Sequence, residues 1–441
     1  MALDAKNNSL EEFWIPFTDN RGFKKDPRLV VKANGVYMQD HKGGTVIDGS
    51  SGLFCSPAGH CHPKIIEAVH TALQDLTFVS PFSTNHPLSF ELAEEVCRLT
   101  PEEINHVFFV NSGSEAIDTA LKIVMAYHHA KGENRPRFIS RERAYHGVNI
   151  GGVSLSGLVN NRRAFPCVMP NIVHMRHTWT EEELYTPGQR TTGADRAEDL
   201  QRAIDNFGGE TIGAVFIEPV AGSTGTLPPP HGYLQRIREI CDANNILLVF
   251  DDVICGFGRV GGNFSADAFG VTPDIITMAK ALTNGSIPMG AVAVRDDIYE
   301  TVTDASAMGG IELFHGYTYS GHPAACAAGL ASLAIYREEG LFDRAKEMAP
   351  YFAEAVHSLG DHPMVKDVRS IGMMAGVEIH QHPEHGSLGV RAQTEMFWKG
   401  LHIKFTGNNG IVAPMFISEK SHIDEIISKF RKTLDDLPQV H

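Results

Sequence analysis

The chain has 441 residues with 38 basic and 53 acidic side chains, a formal net charge of −15, and is 43% hydrophobic and 21% charged. That composition fits a globular protein of one large or two to three smaller domains and excludes disorder as the main state. The acidic balance offers no long-range attraction to phosphate backbones or anionic lipid, so no nucleic-acid or membrane partner is expected, and any bound anion must be held locally.

The opening MALDAKNNSLEE lacks a basic stretch followed by an apolar core, which predicts no signal peptide and a cytoplasmic location. From about residue 100 to 300, short apolar runs alternate with amphipathic stretches, the pattern of an α/β domain with a mainly parallel sheet. Predicted strands are HVFFV (106–110), RFIS (137–140), IGAVFIE (212–218), ILLVF (246–250), DIITMA (274–279) and GAVAV (290–294). Predicted helices run over 114–130, 197–207 and 233–243, with apolar residues three and four apart, as in Leu121, Val124 and Met125 and in Leu234, Ile237, Ile240 and Cys241.

The densest apolar run, Ala324 to Tyr336, is broken by Gly329 and Ser332 and is too short to span a bilayer, so it predicts a buried helix. After residue 330 the texture predicts a helix over 341–359, strands over 365–368 and 373–379, and a closing helix from His422. The expected organisation is an N-terminal part of a small α+β domain (1–55), a large domain (56–329) and the C-terminal part of the small domain (330–441).

Seven scattered cysteines without a CxxC pair read as mostly buried small hydrophobes, not a disulfide scaffold. The clusters His60-Cys61-His62 and His380, His382, His385 have neither zinc-finger nor HExxH spacing, so loop histidines are expected and no metal.

Four features carry chemistry. Asn111-Ser112-Gly113-Ser114-Glu115 follows a strand and opens a helix, which suits either phosphate binding or ordinary N-capping. Glu218 and Asp251 end two apolar strands at the edge where open α/β sheets bind ligands. Lys280 follows a third strand, where a desolvated amine can form a Schiff base. A phosphate cradle, a strand-end acid and a strand-end lysine are the three groups that pyridoxal 5′-phosphate (PLP) chemistry needs.

Across nearly its whole length the sequence resembles class III (omega) aminotransferases of PLP fold type I, most closely the beta-alanine:pyruvate type. The likeness rests on DGSSGLFCSPAGHCHPKI (48–65), VFFVNSGSEAIDTALK (107–122), AYHG (144–147), FIEPV (216–220), FDDVICGFGR (250–259), MAKALTNGSIPMGA (278–291) and FHGYTYSGHPAACAA (314–328). The resemblance implies Lys280 as the Schiff-base lysine and general acid/base, and Asp251 as the partner of the pyridine nitrogen. It implies Ser112, Gly113 and Ser114 as the phosphate cup and Thr318 as a contact reaching the phosphate from a partner subunit. Hence a homodimer, or dimers paired into tetramers, with shared sites is expected. Tyr145 and Val253 match the residues on the two faces of the cofactor ring, and Glu218 the acid near the cofactor O3′ side.

Phe17, Phe54 and Phe82 fall where the family places substrate-pocket aromatics, with core packing the competing explanation. Three positions depart from the family pattern: Asp252 replaces a glutamate, Phe54 a common tryptophan, and Lys404 a mobile arginine that binds the substrate carboxylate. Lysine supplies a point charge instead of a bidentate fork, so Arg143 and Arg163 are alternative anion partners. The activity implied is ping-pong transfer of an amino group from an amine or omega-amino acid to pyruvate or a related keto acid. A decarboxylase, a racemase or a non-catalytic PLP-binding protein on the same scaffold are the alternatives.

Overall fold

The structure, a computed structural model, describes residues 9–439 apart from positions 167 and 308. Seven strands form one sheet in the order Ile104–Val110, Gly290–Arg295, Ile275–Met278, Leu247–Asp251, Ile212–Ile217, Arg137–Arg141, Ile172–Met175. Six run in the same direction, and Gly290–Arg295 is antiparallel to both of its neighbours. The three central strands are buried at every residue, which is why they read as unbroken apolar runs without alternation. The edge strand Ile172–Met175 was not expected; four residues, three of them half-buried with His174 among them, are too few to show a period.

Helices flank the sheet. Gly113–Ala130 buries Ile117, Leu121 and Val124 against it, whereas Met125 faces solvent, outside the apolar stripe assigned to it from spacing. Tyr233–Asn244 buries Leu234, Ile237, Ile240 and Cys241 as expected. Pro323–Glu338 is the core helix implied by the 324–336 run, and Ser332 satisfies its buried hydroxyl by donating to Ala328 O at 2.7 Å.

The helix Leu341–His357 leads into a four-stranded antiparallel sheet of Val365–Ile371, Met374–Ile379, Asn409–Val412 and Lys404–Thr406. The closing helix is Lys420–Asp436. A third sheet, Val30–Asn34, Tyr37–Asp40 and Thr45–Asp48, takes Leu401–His402 as a parallel fourth strand, so the N- and C-terminal segments share one set of ladder hydrogen bonds. Among the described residues no helix is long and apolar enough to cross a membrane. Cys241, Cys255 and Cys326 are buried, Cys55 and Cys97 half-buried and Cys61 exposed, all with free thiols; Cys167 lies outside the described residues.

Candidate active site

The residues singled out along the chain converge on one edge of the large sheet. Asp251 ends its strand, Glu218 and Lys280 follow theirs by one and two residues, Tyr145 lies four beyond Arg141, and Gly113 opens the helix after Val110. Parallel strands bring these carboxyl ends side by side, where an open α/β sheet leaves its crevice. One cleft is lined by Gly113, Ser114, Tyr145, Glu218, Asp251, Val253 and Lys280.

Helix Gly113–Ala130 points its N-terminus into this cleft. Ser112 is the N-cap: its Oγ accepts from Glu115 N at 3.2 Å, an arrangement that typically contributes about 1 kcal/mol. The capping explanation therefore holds for Ser112, while Gly113 and Ser114 reach the cleft itself. The first N–H groups of a helix lack intrahelical acceptors and carry the positive end of its dipole, so this end suits an anion. Gly113 must lack a side chain, because a Cβ there would lie 2.9 Å from Val253 Cγ1. Gly147, at φ +92°, lets the Tyr145 loop approach the same helix end; a Cβ would lie 2.5 Å from Ser114 Oγ.

Asp251 is buried and accepts from His146 Nδ1 at 2.8 Å, Val253 N at 3.2 Å and Thr277 Oγ1 at 3.4 Å. His146 is the functional neighbour that the sequence reading passed over. It stood in AYHG beside Tyr145, and only its reach to a strand more than a hundred residues away makes it visible. Glu218 is equally buried; its Oε1 accepts from Tyr145 N at 2.7 Å and its Oε2 from Gly222 N at 3.2 Å. Burial pushes Glu218 up to about 7, and the charge of Asp251 adds to the shift. Burial and the same two carboxylates raise the Tyr145 phenol.

Asp252, next to Asp251, faces away from the cleft: it accepts from Ser265 N at 3.0 Å and from the Ser265 hydroxyl. Burial pushes it up to about 7. Between the ordinary carboxyl value near 4 and that value, the folded state holds a proton that the unfolded chain has released. Stability from this group is thus complete below about pH 4 and lost as pH rises to about 7, at up to roughly 1.4 kcal/mol per pH unit for one proton. Asp252→Asn keeps an acceptor for Ser265 N and a donor for its hydroxyl. Its melting temperature is expected to exceed that of wild type at pH 7.5 and to match it at pH 4.5; an equal gain at both would show that Asp252 does not titrate in this window.

The cleft opens into a larger cavity of about 500 Å³ walled by Phe17, Leu53, Phe54, Tyr145, Lys404 and Ile411, with Lys280 at the junction. Phe17 and Phe54 thus meet at the site, Phe54 almost fully buried and Phe17 largely exposed. Phe82 does not: it lines a separate cleft with Phe109, His315 and Gly316. Thr318 is exposed and lies in the loop beyond Gly316, also outside the Lys280 cleft. Lys404 reaches the cavity, where burial lowers its amine from the ordinary lysine value, and its Nζ has no acidic partner among the described residues. Arg163 is exposed, and Arg143 stacks over Trp179 at 5.2 Å; neither lines the cleft or the cavity. Among the described residues no cluster of three or more His, Cys, Asp or Glu could hold a metal ion.

Comparison with known proteins agrees in extent as well as kind. The family Aminotransferase class-III matches residues 20–434. The chain is 46% identical to the omega-aminotransferase of Caulobacter vibrioides over 98% of this chain and 99% of that one. It is 43% identical to the omega-amino acid–pyruvate aminotransferase of Pseudomonas putida, covering 98% and 97%. The crystal structure of the omega transaminase from Pseudomonas jessenii in complex with PMP superposes with a TM-score of 0.91 at 32% identity, covering 97% of each chain.

Proposed function

The chain belongs to the class-III aminotransferase family and is a transaminase, and from that premise we propose that it moves an amino group from an amine or omega-amino acid of the beta-alanine type to pyruvate or a related keto acid, using PLP. The observation that carries this reading is the meeting of Lys280, Asp251 and a helix N-terminus in one cleft that opens into a largely apolar cavity. The cleft fits the cofactor: an anion-binding helix end, a buried carboxylate and an amine stand on its walls, and Gly113 and Gly147 keep it clear of side chains.

When bound, PLP supplies an aldehyde for the amine and a pyridinium ring that takes up the electron pair released at the substrate carbon. The N–H groups of Gly113 and Ser114 would hold the phosphate, with Ser112 fixing the turn. Asp251, oriented by His146 and Thr277, would keep a proton on the ring nitrogen. Tyr145 and Val253, both on the wall of the cleft, would hold the ring. Lys280, at the junction of cleft and cavity, would be the base that accepts the proton from the substrate carbon and the acid that gives it back, and the cavity walls would keep water from that exchange. Glu218 serves by position: both its oxygens accept backbone N–H bonds, which fixes the Tyr145 loop at the wall of the cleft.

Thr318 would serve the cleft of a second copy; its exposure and its absence from its own cleft support this, and Phe82 lines a separate cleft with Gly316 and Ser320, which flank Thr318 in the chain. A homodimer, or dimers paired into tetramers, in the cytoplasm completes this reading. The small domain comprises 1–55 and 330–441 around the large domain 56–329, in keeping with the shared ladder of Thr45–Asp48 and Leu401–His402.

Lys404 is the carboxylate anchor of the cavity, since no acidic side chain competes for it. With Lys404→Ala, the KM for beta-alanine is expected to rise on the order of tenfold to a hundredfold, with little change for 1-phenylethylamine, which has no carboxylate. Equal effects on both donors would remove Lys404 from this role. The function as a whole is tested by a donor screen with pyruvate as acceptor, covering beta-alanine, longer omega-amino acids, polyamines and 1-phenylethylamine. Alanine formation with parallel-line kinetics is the expected result, and no alanine from any donor would refute the reading.

A further inference from the structure

Another buried carboxylate, Asp48, stands behind the cavity wall and takes no part in the chemistry above. It is 1% exposed and accepts four hydrogen bonds. Its Oδ1 takes Ser50 N at 3.0 Å and Ser50 Oγ at 3.3 Å; its Oδ2 takes Gly52 N at 2.6 Å and His60 Nε2 at 2.9 Å. The segment it grips is strained. Ser51, Gly52, Leu53 and Phe54 have φ of 49°, 61°, 89° and 63°, and three of the four are not glycine. L-residues avoid this region because Cβ meets the neighbouring carbonyl, so such a run persists only where its surroundings hold it.

The far side of the turn is pinned as well. Ser51 Oγ donates to Ala413 O at 2.7 Å and accepts from Arg259 Nη2 at 3.3 Å. The turn in turn presents Leu53 and Phe54 to the cavity that Lys280 joins to the cleft. Asp48 also faces His402 across the strand pair that leads to Lys404, so both walls of the cavity start from one buried group.

We propose that Asp48 and His60 are positioning residues for donor selection: the carboxylate, held by the imidazole, keeps the Ser51–Phe54 turn left-handed and so sets how far Leu53 and Phe54 reach into the cavity. Loss of the imidazole donor releases Asp48 from one of its four partners, lets the turn relax towards negative φ and withdraws the two side chains from the cavity. The inference rests on the reading that this cavity takes the amine donor.

The test compares wild-type, His60→Leu and His60→Gln holoenzymes with beta-alanine and with the bulkier 1-phenylethylamine, pyruvate being the acceptor. Leucine removes the donor, whereas glutamine offers an amide N–H at similar reach. In His60→Leu the ratio of kcat/KM for the two donors is expected to shift towards the bulky amine by about tenfold. The shift should lie in KM, with kcat for beta-alanine within about twofold of wild type and the visible cofactor band unchanged. His60→Gln should restore the wild-type ratio, which a merely structural loss would not produce. An unchanged ratio in His60→Leu, or no recovery in His60→Gln, overturns the proposal. If His60→Leu does not fold, His60→Asn, whose shorter amide falls short of Asp48, takes the same test with the same criteria. A wild type that makes alanine from no donor of the screen overturns the functional reading and this inference with it, whereas one active only with other donors, or an active wild type with insensitive variants, overturns this inference alone.

Discussion

Lys280→Ala holoprotein is expected to make no measurable alanine from any amine and pyruvate, and to lack the visible absorbance band of a lysine-bound cofactor. Two losses coincide in this variant. The amine proposed to hold the aldehyde is gone, and with it the group proposed to move the proton, since Lys280 is the only lysine among the residues lining the cleft. Removing a positioned acid/base alone costs about 10²–10⁴ in rate, and loss of the covalent link comes on top of it. The fold should survive. Lys280 opens a short helical turn at φ 48° after Met278, and the buried Ala281, Leu282 and Thr283 anchor that turn without help from the lysine side chain. Absorbance and single-turnover assays of the purified variant check this, and residual turnover within tenfold of wild type would place the chemistry on another group.

Asp251→Asn is the second large effect. Asparagine fills the same space and can still accept from Val253 N, so cofactor binding should persist. What it lacks is the negative charge. The carboxylate, 2.8 Å from His146 Nδ1, is the group proposed to keep a proton on the ring nitrogen; a neutral amide would not, and the ring would then take up electrons poorly. The proton-transfer half-reaction is expected to slow by about 10²–10⁴ with most of the cofactor still bound. Stopped-flow traces of the amine half-reaction measure it directly. A rate near wild type would mean that another group protonates the ring.

How much of this was legible beforehand differs by type of residue. The central strands announced themselves as unbroken apolar runs, and Asp251, Glu218 and Lys280 were found because each ends or follows such a run. That logic needs only local pattern and the rule that parallel strands align their carboxyl ends. Residues whose role depends on long-range contact left no local trace. His146 became visible only through its bond to Asp251, and Asp48 through the pairing of its turn with His60 and Gly52. Ser112 shows the opposite limit: capping and anion binding use the same residue types at the same place, and only the bond to Glu115 N separates its part from that of Gly113 and Ser114. Phe82 lies against Gly316 in a separate cleft of its own chain, and an aromatic in a loop carries no sequence signal of which cleft it faces.

The most direct measurement of the central claim is a single half-reaction of wild-type holoenzyme with beta-alanine in the absence of keto acid. One equivalent of carbonyl product per subunit is expected, with loss of the visible band and then a halt. Adding pyruvate should restore the band and release one equivalent of alanine. Continuous release of carbon dioxide, or inversion of a chiral donor without a halt, would contradict transamination and assign the scaffold to decarboxylation or racemisation instead.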